Sequence, residues 1–268
     1  MPFPTAAQNK IGRLYHWQMF DPVSFEEQMK NGTVYCSSPR DFNDPWDCRP
    51  FFNTNLLADE NERHKHIEWA VEICRRHTAM SKPDIQRMCR ELQNPAVLER
   101  YVREQTLAFQ EEVLKRYRVY CLCPDVNNIL MWAHYADSHR GICLEFNVYS
   151  DTICGALEVQ YQDEFPMTTQ YSQDGRENLL PLLAKARAWE YEHEYRLIAQ
   201  DADNRTPHDT LLTKGGHLRL SEGALQSVIV GHLGPYEQVR TIVQRHQSEI
   251  QVQRAHLVPN RYQLDVRS

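Results

Sequence analysis

The chain has 268 residues, of which 41% are hydrophobic and 25% charged, and a formal net charge of −6. That is an ordinary globular composition, long enough for one large core or two modest ones, and it gives no general electrostatic case for coating nucleic acid. No apolar run approaches the roughly 18 residues of a membrane span, so no membrane partner is expected. The opening Met-Pro-Phe-Pro-Thr-Ala-Ala lacks the basic start and apolar stretch of a signal peptide, which points to the cytoplasm. The eight cysteines include no C-x-x-C pair, so neither a disulfide framework nor a metal site is expected.

In chain order, residues 11–17 read as a strand. Residues 22–31 read as a helix, with Asp21 as N-cap, Pro22 at the first helical position and Gly32 ending it. Residues 33–37 are β-branched and aromatic, hence a strand, and 38–47 form a loop dense in turn residues. From 59 to 118 the pattern is helical. Asn94-Pro95 opens a helix in which Val97, Leu98, Tyr101 and Val102 recur at helical spacing, and Ser81-Lys-Pro-Asp opens a shorter one. Strands are expected at 117–123, 141–146, 157–162, 190–198, 225–230, 250–255 and 262–266, with helices at 129–136, 179–189 and 235–247. Strands and helices mix without strict alternation. The fold expected is therefore α+β with a mixed, mainly antiparallel sheet, in a single domain over 1–268 that carries 59–118 as a helical insertion or lid.

Three clusters carry chemistry. As a strand, 190–198 would place Glu190, Glu192 and Glu194 on one face, either as a solvated edge or as a site that uses a carboxylate. The loop around Asn43-Asp-Pro-Trp-Asp47 reads as a structural plug on Phe42 and Trp46, or as a pocket rim offering Ser38, Asn43, Asp44 and Asp47. In Met131-Trp-Ala-His-Tyr135 the helix half-buries its Trp and Tyr. Beyond it, His139 and Arg140 before Gly141 suit a phosphate or carboxylate, with Arg140 as a bidentate fork. His16 in the first strand reads as a satisfied core histidine or a hydrogen-bond donor to a sugar or amide.

Leu14-Tyr-His16, Ser37-Ser-Pro-x-x-Phe-Asn-Asp-Pro-Trp-Asp47, Met131-Trp-x-His-Tyr-Ala-x-x-His-x-Gly141 and Trp189-x-Tyr-Glu-x-Glu-Tyr-Arg196 together resemble a bacterial family catalogued as domain of unknown function 2971, from about residue 11 to 266. A weaker resemblance is to ADP-ribosyltransferases, whose fold is a split mixed sheet around an NAD cleft. His16 matches the His of an early strand in one branch, Tyr135 the later Tyr, and Glu194 the late Glu. Glu192-x-Glu194 resembles the paired glutamates of the arginine-modifying branch.

This second resemblance implies NAD as substrate, cleaved at the nicotinamide–ribose bond. Glu194 would stabilise the oxocarbenium-like centre and Glu192 would take a proton from the acceptor. His16, with Tyr15, would fix the adenosine-side ribose. Tyr135 or Trp132 would stack on nicotinamide, and Arg140 or Arg196 would meet the pyrophosphate, with Ser38, Asn43, Asp44, His134 and His139 lining the cofactor. The acceptor would be a protein or nucleic acid, and the role that of a toxin or phage-defence effector with a cognate antitoxin or regulator. Two rival functions remain. One is a non-catalytic nucleotide- or RNA-binding module, in which Glu192 and Glu194 only hold Arg196 and Arg140 and the aromatic cluster stacks a base. The other is a metal-free nucleotide or phosphodiester hydrolase with His134 and His139 as acid and base.

Overall fold

The computed structural model describes residues 3–166, 179–201 and 211–267. In chain order its elements are β1 (Arg13–Gln18), α1 (Pro22–Asn31), β2 (Thr33–Tyr35), α2 (Glu60–His77), α3 (Lys82–Glu91), α4 (Pro95–Arg116), β3 (Tyr117–Leu122), α5 (Ile129–Tyr135) and β4 (Ile142–Asn147). There follow β5 (Leu157–Glu158), β6 (Gln160–Gln162), α6 (Leu180–Leu183), β7 (Ala184–Ala186), β8 (Tyr195–Asp201), β9 (Leu211–Thr213), β10 (His217–Arg219), β11 (Leu225–Val230), α7 (Tyr236–His246), β12 (Gln251–Leu257) and β13 (Leu264–Arg267). They form two compact units, residues 1–42, 117–161 and 187–268 in the first and 43–116 and 162–186 in the second.

The first unit is built on sheets. A five-stranded sheet runs β1-β4-β11-β12-β13, and another runs β3-β8-β5 with β9 on β8. Only β11–β12 and β8–β9 are parallel among the pairs in these two sheets. The fold is thus α+β with mixed, mostly antiparallel sheets, as the sequence leads one to expect. The two sheets meet where Tyr15 and Cys123 exchange backbone hydrogen bonds at 2.8 Å. Leu14, Leu144, Tyr120, Leu122, Leu197 and Val228 pack in one core; Trp17, Trp132, Cys143 and Ile229 pack in another on the reverse side of β1 and β4. The second unit is mainly helical, with Phe52, Leu57, Ile67, Ala70, Leu98 and Val102 at its centre.

Local chemistry explains the element ends. Asp21 Oδ1 accepts the Ser24 amide at 2.8 Å, Pro22 opens α1, and Gly32 closes it at φ 59°. Asn128 Oδ1 accepts the Leu130 amide at 3.1 Å and starts α5.

Three expectations are corrected. The strand at 157–162 is broken into β5 and β6 at Val159, whose amide makes the last in-register bond toward β8, to Glu194 O at 2.9 Å. The helix at 179–189 shrinks to the single turn α6 and gives way to β7. Pro181, Leu182, Leu183, Ala184 and Lys185 are buried in succession, which a one-sided surface helix does not allow. The strand at 190–198 begins only at Tyr195: Arg187–Glu192 is a 3-10 turn, and His193 has φ 46°, which ends any pleat. The opening of the last expected block, residues 205–210, lies outside the described residues.

Glycine marks the tightest approach in the first unit. A Cβ on Gly141 would stand 2.3 Å from Gln18 O, and one on Gly231 would stand 2.3 Å from His139 O. Gly141→Ala and Gly231→Ala should each lower stability by about 1–3 kcal/mol or more in a urea-unfolding measurement. Gly155→Ala, with open space around the added methyl, should change it little.

Candidate functional site

The acidic segment resolves into three different carboxylates. Glu190 is exposed and pairs with Arg187 at 3.4 Å across one turn. Glu194 and Arg196 are 1% and 0% exposed and form a two-point fork, Nε to Oε1 at 2.8 Å and Nη2 to Oε2 at 3.0 Å. The Arg196 guanidinium also lies 5.6 Å from the Phe42 ring centroid. A buried pair of this kind is weak evidence for net stability, but removing one partner strands the other charge.

Glu192 is also buried, and its Oε1 accepts a hydrogen bond from the Tyr135 hydroxyl at 2.7 Å. Asn128 Nδ2 donates to Tyr191 O at 2.8 Å, so the N-cap of α5 also holds the 3-10 turn. These two bonds fix a row of rings. Trp189 and Tyr191 centroids are 6.2 Å apart, Tyr191 and His134 6.5 Å, and His134 and Tyr135 6.2 Å. His134 is exposed and the other three are half-buried, so the row is supported from beneath and partly exposed.

His16 lies elsewhere. Its ring stacks on Tyr120 with centroids 4.1 Å apart, and its Nδ1–H donates to Cys121 O at 2.7 Å. Tyr120 stands opposite Leu197, and both belong to the core, whereas Arg196 stands opposite Cys121. Alternation along β3 and β8 therefore puts the His16 stack and the Glu194–Arg196 fork on opposite faces of that strand pair. Tyr15 points away from His16, toward Trp17, and burial beside the Glu145 carboxylate pushes its phenol up to about 12.

Trp132 is fully buried, donates from Nε1 to Val126 O at 2.7 Å, and has His139 stacked on it at 6.5 Å. His139 ends three successive left-handed residues, Asp137, Ser138 and His139 at φ 44°, 52° and 68°, a costly backbone for side chains with a Cβ. Its Nδ1 is buried without a partner among the described residues, as is that of His232; burial, and then His232, lower its pKa. Arg140 is exposed. His134 and His139 thus have different ring neighbours. Ser38 caps a 3-10 turn in the first unit by accepting the Arg40 amide at 3.3 Å, while Asn43 and Asp44 belong to the second unit.

Of the residues expected to act together, the structure joins Tyr135 to Glu192, Glu194 to Arg196 and His134 to Tyr135, and does not bring His16 to Glu194. Sequence reasoning missed Trp189 and Tyr191 as members of the ring row. The signal was present in Trp189-x-Tyr191, but a strand reading turns the two rings toward one edge and supplies no reason for His134 to join them.

Residues 131–197 match a family model described as a protein of unknown function (DUF2971), which supports the resemblance drawn from the sequence. The match spans about a quarter of the chain and takes in the whole ring row and the Glu194–Arg196 fork. None of the curated proteins and none of the solved structures compared with the chain matches it.

Glu194→Gln or Arg196→Leu should lower unfolding stability by about 3–5 kcal/mol, because each leaves one buried partner uncompensated. Burial lowers the His16 pKa from 6.5 to about 4. The native state then resists a proton that the unfolded chain accepts. This contribution to stability is full above pH 6.5 and is lost as pH falls toward about 4, by up to ~3 kcal/mol. Urea midpoints measured from pH 7 to 4 should show that component in wild type and not in His16→Gln.

Proposed function

We propose that the chain is a nucleobase-binding module whose reading surface is the row Trp189–Tyr191–His134–Tyr135. The observation that carries the reading is the spacing of those partly exposed rings at 6.2–6.5 Å, fixed by a buried carboxylate and a helix-capping amide. Rings with open faces stack bases of any sequence, because every base has a π-face. Glu192 and Glu194 then act as supports, each already satisfied by Tyr135 or Arg196. Exposed Arg140 and Arg187 supply cationic side chains in the same unit for a phosphate backbone. In a fluorescence titration with adenosine monophosphate and a short single-stranded RNA, wild type should be quenched. Trp189→Phe should lose most of that signal, and Tyr191→Ala or His134→Ala should weaken binding about 5- to 100-fold. No quenching at millimolar nucleotide, or unchanged affinity in Tyr191→Ala, would overturn the reading.

A second reading keeps NAD as substrate and is favoured by one contact, the Tyr135–Glu192 hydrogen bond beside the same rings. Here Glu192, rather than Glu194, stabilises the charge that develops as the nicotinamide–ribose bond breaks, Tyr135 or Tyr191 stacks on nicotinamide, and a protein or nucleic acid takes the ADP-ribose. Incubation with NAD should release nicotinamide, and Glu192→Gln should abolish the release while leaving base binding within about threefold. NAD left intact by wild type, or release unchanged in Glu192→Gln, removes this reading and leaves the first in place.

A further inference from the structure

The second unit holds a cavity of about 270 Å³ that none of the chemistry above uses. Its volume lies below the roughly 300–1,000 Å³ of pockets for drug-sized ligands, so it suits something the size of one amino acid rather than a dinucleotide. The loop Asn43-Asp-Pro-Trp-Asp47 makes one wall. Asp44 Oδ1 accepts the Trp46 amide at 2.9 Å, and this Asx turn leaves the Trp46 side chain outermost, 65% exposed. Phe165, 44% exposed, makes a second aromatic wall and is backed by Phe51 at a centroid distance of 5.7 Å.

The two ends of the cavity differ in chemistry. Donors lie deep. Lys185 is 9% exposed, with Nζ 3.9 Å from Asp47 Oδ2, which is an ion pair rather than a hydrogen bond. Gln162 lines the same space, and its buried Nε2 has no hydrogen-bond partner among the described residues, a state that costs free energy until an acceptor arrives. Acceptors lie at the mouth, where Asp163 and Glu164 are exposed beside the two aromatic walls. Four carboxylates, Asp44, Asp47, Asp163 and Glu164, face two cations, Lys185 and Arg49, so the lining carries an excess of two negative charges.

We propose that this cavity binds a cationic amino acid, free or at a peptide position, with its carbonyl or carboxyl oxygen on Gln162 and Lys185 and its guanidinium between Trp46 and Phe165 against Asp163 and Glu164. A guanidinium is planar and weakly hydrated, so it stacks on aromatic faces while its edges bond carboxylates. An anionic ligand would meet the excess negative charge, and a simple amine with no acceptor would leave Gln162 unsatisfied. The site is independent of the nucleobase reading, since its lining belongs to the second unit and the ring row to the first.

The test is calorimetric titration of the full chain with L-arginine, N-acetyl-arginine amide, agmatine and L-glutamate. L-arginine or its capped amide binds, and whichever is tighter assigns the free or the peptide-borne source. Agmatine, which lacks the acceptor end, binds at least about tenfold more weakly, and L-glutamate does not bind. Trp46→Ala weakens binding about 5- to 30-fold and Trp46→Phe restores most of it. Asp163→Asn with Glu164→Gln weakens it and removes its salt dependence. Trp46 is exposed, so Trp46→Ala unfolds at the same urea concentration as wild type. No binding of either arginine compound at millimolar concentration, glutamate binding as tightly as arginine, or an affinity unmoved by Trp46→Ala would each overturn the proposal.

Discussion

A guanidinium group with no exposure to water is the constraint around which the acidic segment is arranged. Arg196 stands in the middle of the β3-β8-β5 sheet, and its charge is compensated within the chain by Glu194, two residues away in sequence. Residues two apart along a strand share a face, so the fork closes across Tyr195 alone. Just before it the backbone turns at His193, with φ 46°, and the preceding residues coil into a 3-10 turn. That turn lifts Trp189 and Tyr191 out of the sheet and delivers them to the side of α5 that carries His134 and Tyr135. The ion pair closes the start of the strand, and the turn just before it sets where the rings stand.

The carboxylates that look most reactive in the sequence are the ones most fully used by the structure. Glu194 is clamped by Arg196, and Glu192 lies under the Tyr135 hydroxyl. The ring row beside them is left half-buried, with His134 exposed. The strained turn Asp137–His139 packs against the loop from Gly231 to Gly234, where the glycines admit backbone oxygens of His139, Arg140 and Gly141 closer than any Cβ would allow. This close seam follows α5 at its C-terminal side.

Much of this architecture is legible in the chain, and the reasons are local. Asp21, Pro22 and Gly32 announce α1 because caps act within a few residues of themselves, and apolar spacing announces the helices of the second unit. His16 as a histidine satisfied within the chain, half-buried on Tyr120, follows from a short alternating strand. The acidic strand was misread because three alternating glutamates satisfy a period of two whatever their backbone does. Nothing in that alternation marks the positive φ at His193 that ends the pleat. Lys185 stayed hidden for a related reason: in Leu-Leu-Ala-Lys-Ala-Arg-Ala it reads as the polar face of a helix, and its burial against Asp47 arises from contact between distant segments of the second unit.

Glu194 serves Arg196 and not a substrate. The direct measurement is a double-mutant cycle on Glu194→Gln and Arg196→Leu, followed by urea unfolding at neutral pH. A coupling energy of about 2 kcal/mol or more, with the double variant recovering much of the loss of each single one, is the result predicted. Two independent effects that simply add, within about 0.5 kcal/mol, would show that the carboxylate and the guanidinium do not hold one another and would contradict the account.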